Sequence, residues 1–333
     1  MRHVCLPVIA SALLLIGPIR GEKPAESPLH LSRTIPLPGV EGRIDHLAVD
    51  LAGRRLFVAA LGNNTVEVLD LKAGKHLRSI SGFAEPQGLA YLAAANRLVV
   101  AGGGDGSCRI CDGKTFKLLQ TIDCGEDADN VRYDAAANRI YVGYGKGALA
   151  MIDPEQGKRV ADIPLVGHPE SFQLELQGDR IFVNVPSARQ IAVVDRKKGA
   201  VVATWPLGDV ANFPIALVEA GRRLLVGCRK PPQMLVIDTE TGKTTASLEC
   251  SGDTDDLFYD AKLQRVYLSG GDGSISVFQR LAPDRYQPLA KIPTAAGART
   301  CLFVADLGCL YLAVPHRSQQ QAEVREYQTA AAE

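Results

Sequence analysis

The chain has 333 residues, of which 46% are hydrophobic, 22% are charged and 6% are aromatic; 37 basic and 37 acidic residues give a formal net charge of zero. This composition is typical of a globular protein and excludes a disordered, collagen-like or coiled-coil chain. A neutral chain also lacks the positive field of proteins that bind nucleic acids or anionic membranes nonspecifically, so we expect no nucleic-acid partner.

The first segment has the order of a secretory signal peptide. A short basic start precedes an apolar run over residues 4–19, and a polar segment begins at Gly21. The run is shorter than the ~20 residues that a membrane-spanning helix needs. We therefore predict a signal peptide at residues 1–21 and a linker at residues 22–30. The mature protein is expected to be periplasmic or secreted, without stable membrane insertion; an uncleaved membrane anchor is the alternative.

The cysteines do not indicate a disulfide framework. One of the eight, Cys5, belongs to the predicted signal peptide, and an odd number remains. Cys108 and Cys111 form a C-x-x-C pair within a predicted strand. Residues i and i+3 of a strand point to opposite faces, so these two sulfurs would not share a metal ion. We interpret the cysteines as small buried hydrophobic residues.

A repeat of about 42 residues runs through the chain. Each copy contains an anchor, a basic residue followed by an apolar triplet; the seventh copy keeps only the triplet. The anchors begin at Arg55, Arg97, Arg139, Arg180, Arg223, Arg265 and Cys309. An aspartate follows the anchor in five copies, at Asp70, Asp112, Asp153, Asp195 and Asp238. The pair Gly-Lys follows three of these aspartates and indicates a turn.

Four strand-like segments recur within each repeat. In the first repeat they are an alternating segment at His46–Asp50, the triplet after Arg55, a second alternating segment at Val66–Val68, and a strand ending near Ile80. Four short strands in each of seven repeats predict an all-β fold, a seven-bladed β-propeller of four-stranded antiparallel blades. We place this propeller at residues 31–327.

The closure of the ring follows from the outer strands. Each of the first six repeats carries a landmark residue there: Ile80, Ile122, Ile163, Trp205, Leu248 and Ile292. The seventh repeat lacks its own landmark, and a matching Ile35 lies before the first repeat. We therefore predict that the N-terminal strand completes the last blade, three strands plus one, which removes open sheet edges. Residues 328–333 are expected to be a tail, and the protein a monomer.

The repeats resemble those of a known family. Ile140–Gly143 and Ile181–Asn184, with the V-x-V-x-D and Gly-Lys that follow such triplets, resemble YVTN-type (YncE-like) β-propeller repeats. The full Tyr-Val-Thr-Asn tetrad is intact in no repeat, and the Trp-Asp signature of another propeller class is absent. The resemblance implies an exported bacterial protein. Some members of such families bind nucleic acid and others are fused to electron-transfer modules, but a shared fold does not transfer these activities.

Polar residues concentrate at one end of the predicted innermost strands. Ten residues before the anchors lie Asp45, Gln87, Asp129, Glu170, Phe213, Asp255 and Arg299, whereas the positions eight and six residues before are apolar. Equivalent positions in a closed ring face a common axis, so we predict a polar ring at one mouth of the channel. The predicted ligand-binding residues are Asp45, His46, Asp129, Asn130, Glu170, Asp255, Asp256 and Arg299.

Two interpretations of this ring stay open. In the first, the ring and the neighbouring His168 bind a protein partner or a small anionic, polyhydroxylated or cationic ligand. In the second, its members are structural ion pairs and turn caps, with Arg299 between Asp255 and Asp45. No cofactor and no metal site is predicted: Asp129 and Glu170 of adjacent blades could converge, but Asp45 and Asp255 are separated by the seventh blade, and a bound cation needs ligands within about 2.6 Å. No catalytic motif is found. We favour a non-catalytic binding protein, with a metal-assisted hydrolase or lactonase-type enzyme as the alternative.

Overall fold

The computed structural model describes Met1 and residues 27–208 and 210–330. Apart from Met1, the predicted signal peptide lies outside these residues, and so does Cys5. None of the helices in the described segments is long and apolar enough to cross a membrane. The described helices are four single 3₁₀ turns at Leu61–Asn63, Pro186–Ala188, Glu219–Gly221 and Ala305–Leu307.

The described strands form seven four-stranded antiparallel sheets, each of which is one blade. Blade 1 contains β2 (Leu47–Asp50), β3 (Arg55–Ala60), β4 (Thr65–Asp70) and β5 (Lys75–Ser81). Blade 2 contains β6 (Pro86–Leu92), β7 (Arg97–Gly102), β8 (Ser107–Asp112) and β9 (Leu118–Asp123). Blade 3 contains β10 (Ala128–Asp134), β11 (Arg139–Tyr144), β12 (Ala148–Asp153) and β13 (Lys158–Pro164).

The remaining blades repeat this order along the chain. Blade 4 contains β14 (Ser171–Leu174), β15 (Arg180–Val185), β16 (Gln190–Asp195) and β17 (Ala200–Pro206). Blade 5 contains β18 (Asn212–Val218), β19 (Arg223–Arg229), β20 (Pro232–Asp238) and β21 (Thr244–Glu249). Blade 6 contains β22 (Thr254–Asp260), β23 (Arg265–Gly270), β24 (Ser274–Ala282) and β25 (Arg285–Pro293). Blade 7 contains β26 (Cys301–Val304), β27 (Cys309–Val314), β28 (Glu323–Thr329) and the N-terminal β1 (Leu29–Pro36).

The last blade confirms the predicted closure. Strand β1 pairs antiparallel with β28 as its outermost strand, from Leu29 opposite Thr329 to Pro36 opposite Glu323. The landmark Ile35 is fully buried in this strand. The N-terminal strand thus joins the first and last parts of the chain and leaves no blade one strand short.

The hydrophobic core is divided into seven clusters, each between two consecutive blades. In blade 1, Leu56 and Val58 pack against blade 7, whereas Phe57 between them packs against blade 2. Successive side chains of a strand point to opposite faces, so a strand buried on both faces is continuously apolar. This is why every anchor is followed by an uninterrupted apolar triplet.

The recurring aspartates and glycines of the repeats lie in turns and stabilise them. Asp70 ends the third strand of blade 1, and its Oδ1 accepts hydrogen bonds from the amides of Lys72 and Ala73, both at 2.8 Å. Gly74 closes this turn with left-handed backbone at φ 65°, which glycine adopts without strain. Ion pairs join the anchor arginine to the same aspartate in three blades: Arg97–Asp112, Arg139–Asp153 and Arg223–Asp238.

All seven cysteines in the described segments are buried and free. Cys108 packs between blades 2 and 3, whereas Cys111 packs between blades 1 and 2, on the opposite face of β8. Burial raises the pKa of the Cys111 thiol to about 11. The interpretation of these residues as small buried hydrophobic side chains is confirmed.

Candidate functional site

The polar ring lies at one mouth of the central channel, where it surrounds a cavity of about 440 Å³. The lining residues are Arg43, Asp45, His46, Leu61, Glu85, Gln87, Asp127, Asp129, His168, Glu170, Phe213, Arg229, Asp255 and Arg299. Six of the eight predicted ligand-binding residues are among them: Asp45, His46, Asp129, Glu170, Asp255 and Arg299. Below, this cavity is called the mouth.

Asn130 and Asp256, the other two predicted residues, lie beneath the mouth and support it from below. The Asn130 Nδ2 donates a hydrogen bond to the backbone oxygen of Glu170 at 2.6 Å and lies 3.1 Å from the Nε2 of His46. The Asp256 Oδ1 lies 3.4 Å from the Nδ1 of His46, and its Oδ2 accepts a hydrogen bond from the Cys301 amide at 2.8 Å. Both side chains are buried.

The innermost strands deliver these side chains through local irregularities in pairing. The register shifts between Pro86 and Leu89, between Ala128 and Val131, and just before Asp256. Such bulges leave residues outside the ladder and change the direction of their side chains. The bulges fall at the ring positions, so they turn polar groups into the mouth while the rest of each strand stays paired.

A second ring lies at the mouth, of which the sequence analysis named only His168. Twelve residues before the anchors, and thus two before the first ring, lie Arg43, Glu85, Asp127, His168 and Asp253. The first four line the mouth, and Asp253 pairs with an arginine that does. Three of the five, Glu85, Asp127 and Asp253, have left-handed backbone with φ of 47°, 44° and 52°, so they lie in turns directly before the innermost strands. The repeat spacing holds at these positions too, so extending the alignment by two residues would have found this ring.

On one side of the mouth, two arginines enclose one carboxylate. The Arg229 Nη2 lies 2.5 Å from the Asp255 Oδ1, and the Arg299 Nε lies 3.3 Å from its Oδ2. Arg299 also pairs with Asp253 at 3.0 Å, and the Arg229 guanidinium lies 3.5 Å from the centroid of the Phe213 ring. Burial raises the pKa of Asp255 to about 6, although Arg229 lowers it. Both arginines are therefore already engaged by protein groups.

The expected position of Arg299 between Asp255 and Asp45 is only half realised. Arg299 pairs with Asp255, whereas the arginine within 4.0 Å of Asp45 is Arg43, whose Nη2 lies 3.3 Å from the Asp45 Oδ2. The His46 Nε2 lies 3.7 Å from the Asp45 Oδ1. Asp45 thus forms its ion pairs with its own neighbours in the chain.

His46 is held as a cation at the floor of the mouth. Burial on its own lowers the pKa of His46, but the carboxylates of Asp256, Asp45 and Asp129 outweigh it and raise the pKa to about 10. Burial also raises the pKa of Asp45, against the opposing effect of His46. His46 therefore joins three blades by charge, which favours a structural part in the ring.

A second histidine, His168, lies on the opposite wall. Its Nδ1 donates a hydrogen bond to the Gly145 oxygen at 2.6 Å, and its two nitrogens lie 3.8 Å from the carboxylates of Asp127 and Asp129. Burial lowers the pKa of His168, whereas the Asp129 hydrogen bond, the Gly145 carbonyl and the carboxylate charges raise it, to about 9. His168 thus provides a second positive charge for this acidic wall.

Glu170 differs from these groups. Among the described residues, its side chain forms no hydrogen bond and no ion pair within 4.0 Å. Burial and the charge of Asp129 raise its pKa to about 7, against the weaker opposing effects of His168 and Arg229. A partly buried carboxylate without a partner is costly, so this group calls for a donor that the protein itself does not supply.

The described residues contain no group of three or more histidine, cysteine, aspartate or glutamate side chains placed to hold a metal ion. Four carboxylates of the mouth, Asp45, Asp127, Asp129 and Asp255, instead face arginines or histidines of the protein. In the described segments Glu85 and Glu170 form no such ion pair within 4.0 Å. What the mouth can do with its own residues is recognise a charged or hydrogen-bonding group.

Beneath the mouth the channel continues as a second cavity of about 440 Å³. The side chains around it come from the innermost strands and are mostly apolar, in agreement with the apolar positions expected from the sequence. Its charged lining residues are His46, Asp256 and Arg132. Arg132 lies seven residues before its anchor, a position that the sequence analysis did not consider.

Comparison with protein-family models gives no match, and comparison with curated proteins gives none either. Among solved structures, a chain of the hydrazine synthase of Kuenenia stuttgartiensis has a TM-score of 0.76 and 17% sequence identity, covering 95% of this chain and 100% of that chain. A chain of a mitotic checkpoint complex has a TM-score of 0.77 and 13% identity, covering 98% of this chain and 100% of that chain. Likeness at such identities shows the fold alone. The protein is a seven-bladed β-propeller, a fold that it shares over nearly its whole length with these two structures.

Proposed function

We propose that this protein is an exported, non-catalytic binding protein whose mouth captures a small ligand that carries an ammonium group. The observation that carries the proposal is Glu170, a carboxylate of the mouth without a hydrogen-bond or ion-pair partner among the described residues. An ammonium group has three N–H donors and one positive charge, which are what this carboxylate lacks.

The charges around Glu170 support a cationic ligand over an anionic one. The lining of the mouth contains six carboxylates against three arginines and two histidines. Arg229 and Arg299 already donate to Asp253 and Asp255, so an anion would have to displace existing ion pairs. A cation at Glu170 displaces none. The anionic ligand that Arg299 suggested in the sequence is therefore the less favoured choice.

The family and the compartment are part of the same proposal. The apolar triplets, the V-x-V-x-D segments and the Gly-Lys turns support membership of the YVTN-type propellers. The basic and apolar start of the chain supports export, with a mature protein beginning near Glu22. Mass spectrometry of protein recovered from the expressing cells tests this: an N-terminus near Glu22 supports export, whereas an intact Met1 on cytoplasmic protein contradicts it.

The mouth is tested by calorimetric titration of the purified protein at pH 8 with n-butylamine, 1,4-diaminobutane, 1-butanol and butyrate. We expect the two amines to bind, and 1-butanol and butyrate to bind at least ten-fold more weakly at this site. Glu170→Gln should lose the amine affinity. Glu249→Gln, on the exposed outer strand β21, is the matched control and should keep it. Equal amine affinity in wild type and Glu170→Gln would contradict the proposal.

The enzyme alternative has its own measurement. Protein purified without chelators can be analysed for bound metal and then titrated with the same amines before and after exposure to a chelator. We expect amine binding that does not depend on the chelator. About one metal ion per chain, with binding lost on its removal, would instead favour the metal-assisted enzyme.

A further inference from the structure

Arg132 is a positive charge inside the channel that no carboxylate neutralises at contact distance. It lies on β10, the innermost strand of blade 3, and lines the cavity beneath the mouth. Its Nη1 donates a hydrogen bond to the Val131 oxygen at 2.9 Å, and its guanidinium lies 5.6 Å from the centroid of the Phe172 ring. Among the described residues, no carboxylate oxygen lies within 4.0 Å of it.

The unused donors of Arg132 need a partner in the cavity. A guanidinium has five N–H donors. Within the described segments, only the Nη1 of Arg132 donates to a protein acceptor, the Val131 oxygen. Burial lowers the pKa of Arg132, while the charges of Asp256 and Asp129 oppose this without contacting it. Arg132 is half-buried, and a partly desolvated charge without a partner is costly. Water or an anion must therefore meet the remaining N–H groups.

The surroundings of Arg132 define which anion fits. The equivalent positions of the other six innermost strands lie seven residues before their anchors and are Ala48, Ala90, Gln173, Ala216, Phe258 and Leu302. All six line the same cavity, so Arg132 faces a largely apolar wall. The other cation of this cavity, His46, is already paired with Asp256 at 3.4 Å. The carboxylate that lines this cavity, Asp256, would repel a second negative charge on a ligand. A single negative charge with an apolar body satisfies both conditions.

We propose that the channel cavity binds a small apolar monocarboxylate, whose carboxylate accepts hydrogen bonds from the guanidinium of Arg132. A carboxylate matches the planar fork of a guanidinium and can accept two parallel N–H groups. The apolar body of the ligand contacts the aliphatic and aromatic side chains that line the channel cavity. This site is separate from the mouth and takes a ligand of opposite charge, so it does not depend on the function proposed for Glu170.

The test is a calorimetric titration of the purified protein with hexanoate, and with 1-hexanol as a probe of the same body without the charge. We expect wild type to bind hexanoate at least ten-fold more tightly than 1-hexanol. Arg132→Gln should lose about ten-fold or more in hexanoate affinity, since charge-assisted hydrogen bonds are lost. Arg97→Gln removes one arginine from an ion pair in blade 2 and should bind hexanoate as wild type does. Wild type without measurable hexanoate binding, or Arg132→Gln with unchanged affinity, overturns the proposal.

A crystallographic measurement decides the matter even where Arg132→Gln does not fold. Crystals of wild type grown with 6-bromohexanoate should show anomalous bromine density in the channel, with the carboxylate on Arg132. Bromine density at the mouth beside Arg299, or a channel that holds only water on the guanidinium, overturns the proposal. Because hexanoate and the amines are titrated separately, failure of either site leaves the result for the other intact.

Discussion

Replacing Glu170 with glutamine tests two effects of its charge separately: the loss of stability in the folded protein and the gain in ligand affinity. The substitution keeps the shape and removes the charge. In the folded protein the pKa of Glu170 is about 7, against an ordinary value of 4.5, because burial and Asp129 disfavour the charged form. The ionised side chain therefore destabilises the unliganded protein, and Glu170→Gln should be the more stable variant above pH 7.

The size of this effect follows from the two pKa values. A difference of about 2.5 pKa units at about 1.4 kcal/mol per unit corresponds to about 3.5 kcal/mol. The side chain keeps partial contact with solvent, so we expect a gain of about 2 kcal/mol in the free energy of unfolding at pH 8. The folded state holds the proton more tightly, so wild type loses stability as the pH rises from 4.5 to 7, and the loss is complete above 7.

Urea unfolding of wild type, Glu170→Gln and the control Glu249→Gln at pH 5 and pH 8 measures this difference. The gain of Glu170→Gln should be large at pH 8 and small at pH 5, while Glu249→Gln should follow wild type at both. A Glu170→Gln variant that is no more stable than wild type at pH 8 would refute the reasoning, because Glu170 would then have a partner. A Glu170→Gln variant that is more stable than wild type but binds amines more weakly would indicate that Glu170 serves ligand binding and not stability.

Three further outcomes are expected. Deleting residues 22–38 removes the outer strand of the last blade, so thermal unfolding should begin at lower temperature and lose cooperativity; an unchanged melting transition would argue against the closure. Arg299→Ala leaves two carboxylates short of a partner and should lower the free energy of unfolding by about 1–3 kcal/mol in urea, with an unchanged midpoint as the contrary result. His46 should stay an imidazolium from pH 6 to pH 8 in NMR spectra, since its pKa is about 10, and a titration midpoint near 6.5 would contradict this. Its contribution to stability is complete below about pH 6.5 and is lost as the pH rises through 10.

The architecture could be predicted from the sequence because its determinants are local and repeated. Strands buried on both faces produce an apolar triplet in all seven repeats, and turns require an aspartate at a defined position in five of them. The missing outer strand of the seventh repeat and the spare Ile35 at the other end of the chain then led to the closure. A closed ring also brings equivalent positions to one axis, which is why six of the eight predicted site residues line the mouth.

The pairing of charges was decided by the tertiary structure. Arg299 and Asp45 occupy equivalent positions in adjacent blades, yet Arg299 pairs with Asp253 and Asp255 of the preceding blade. Aligning the repeats predicts where a residue lies along the channel axis. Ion pairs depend on distances of a few ångströms between side chains of different blades, and these distances are determined by bulges and strand twist. The same distances leave Glu170 and Arg132 without partners of opposite charge. Those two vacant positions, on which both proposed sites rest, arise only when the seven blades are assembled around one axis.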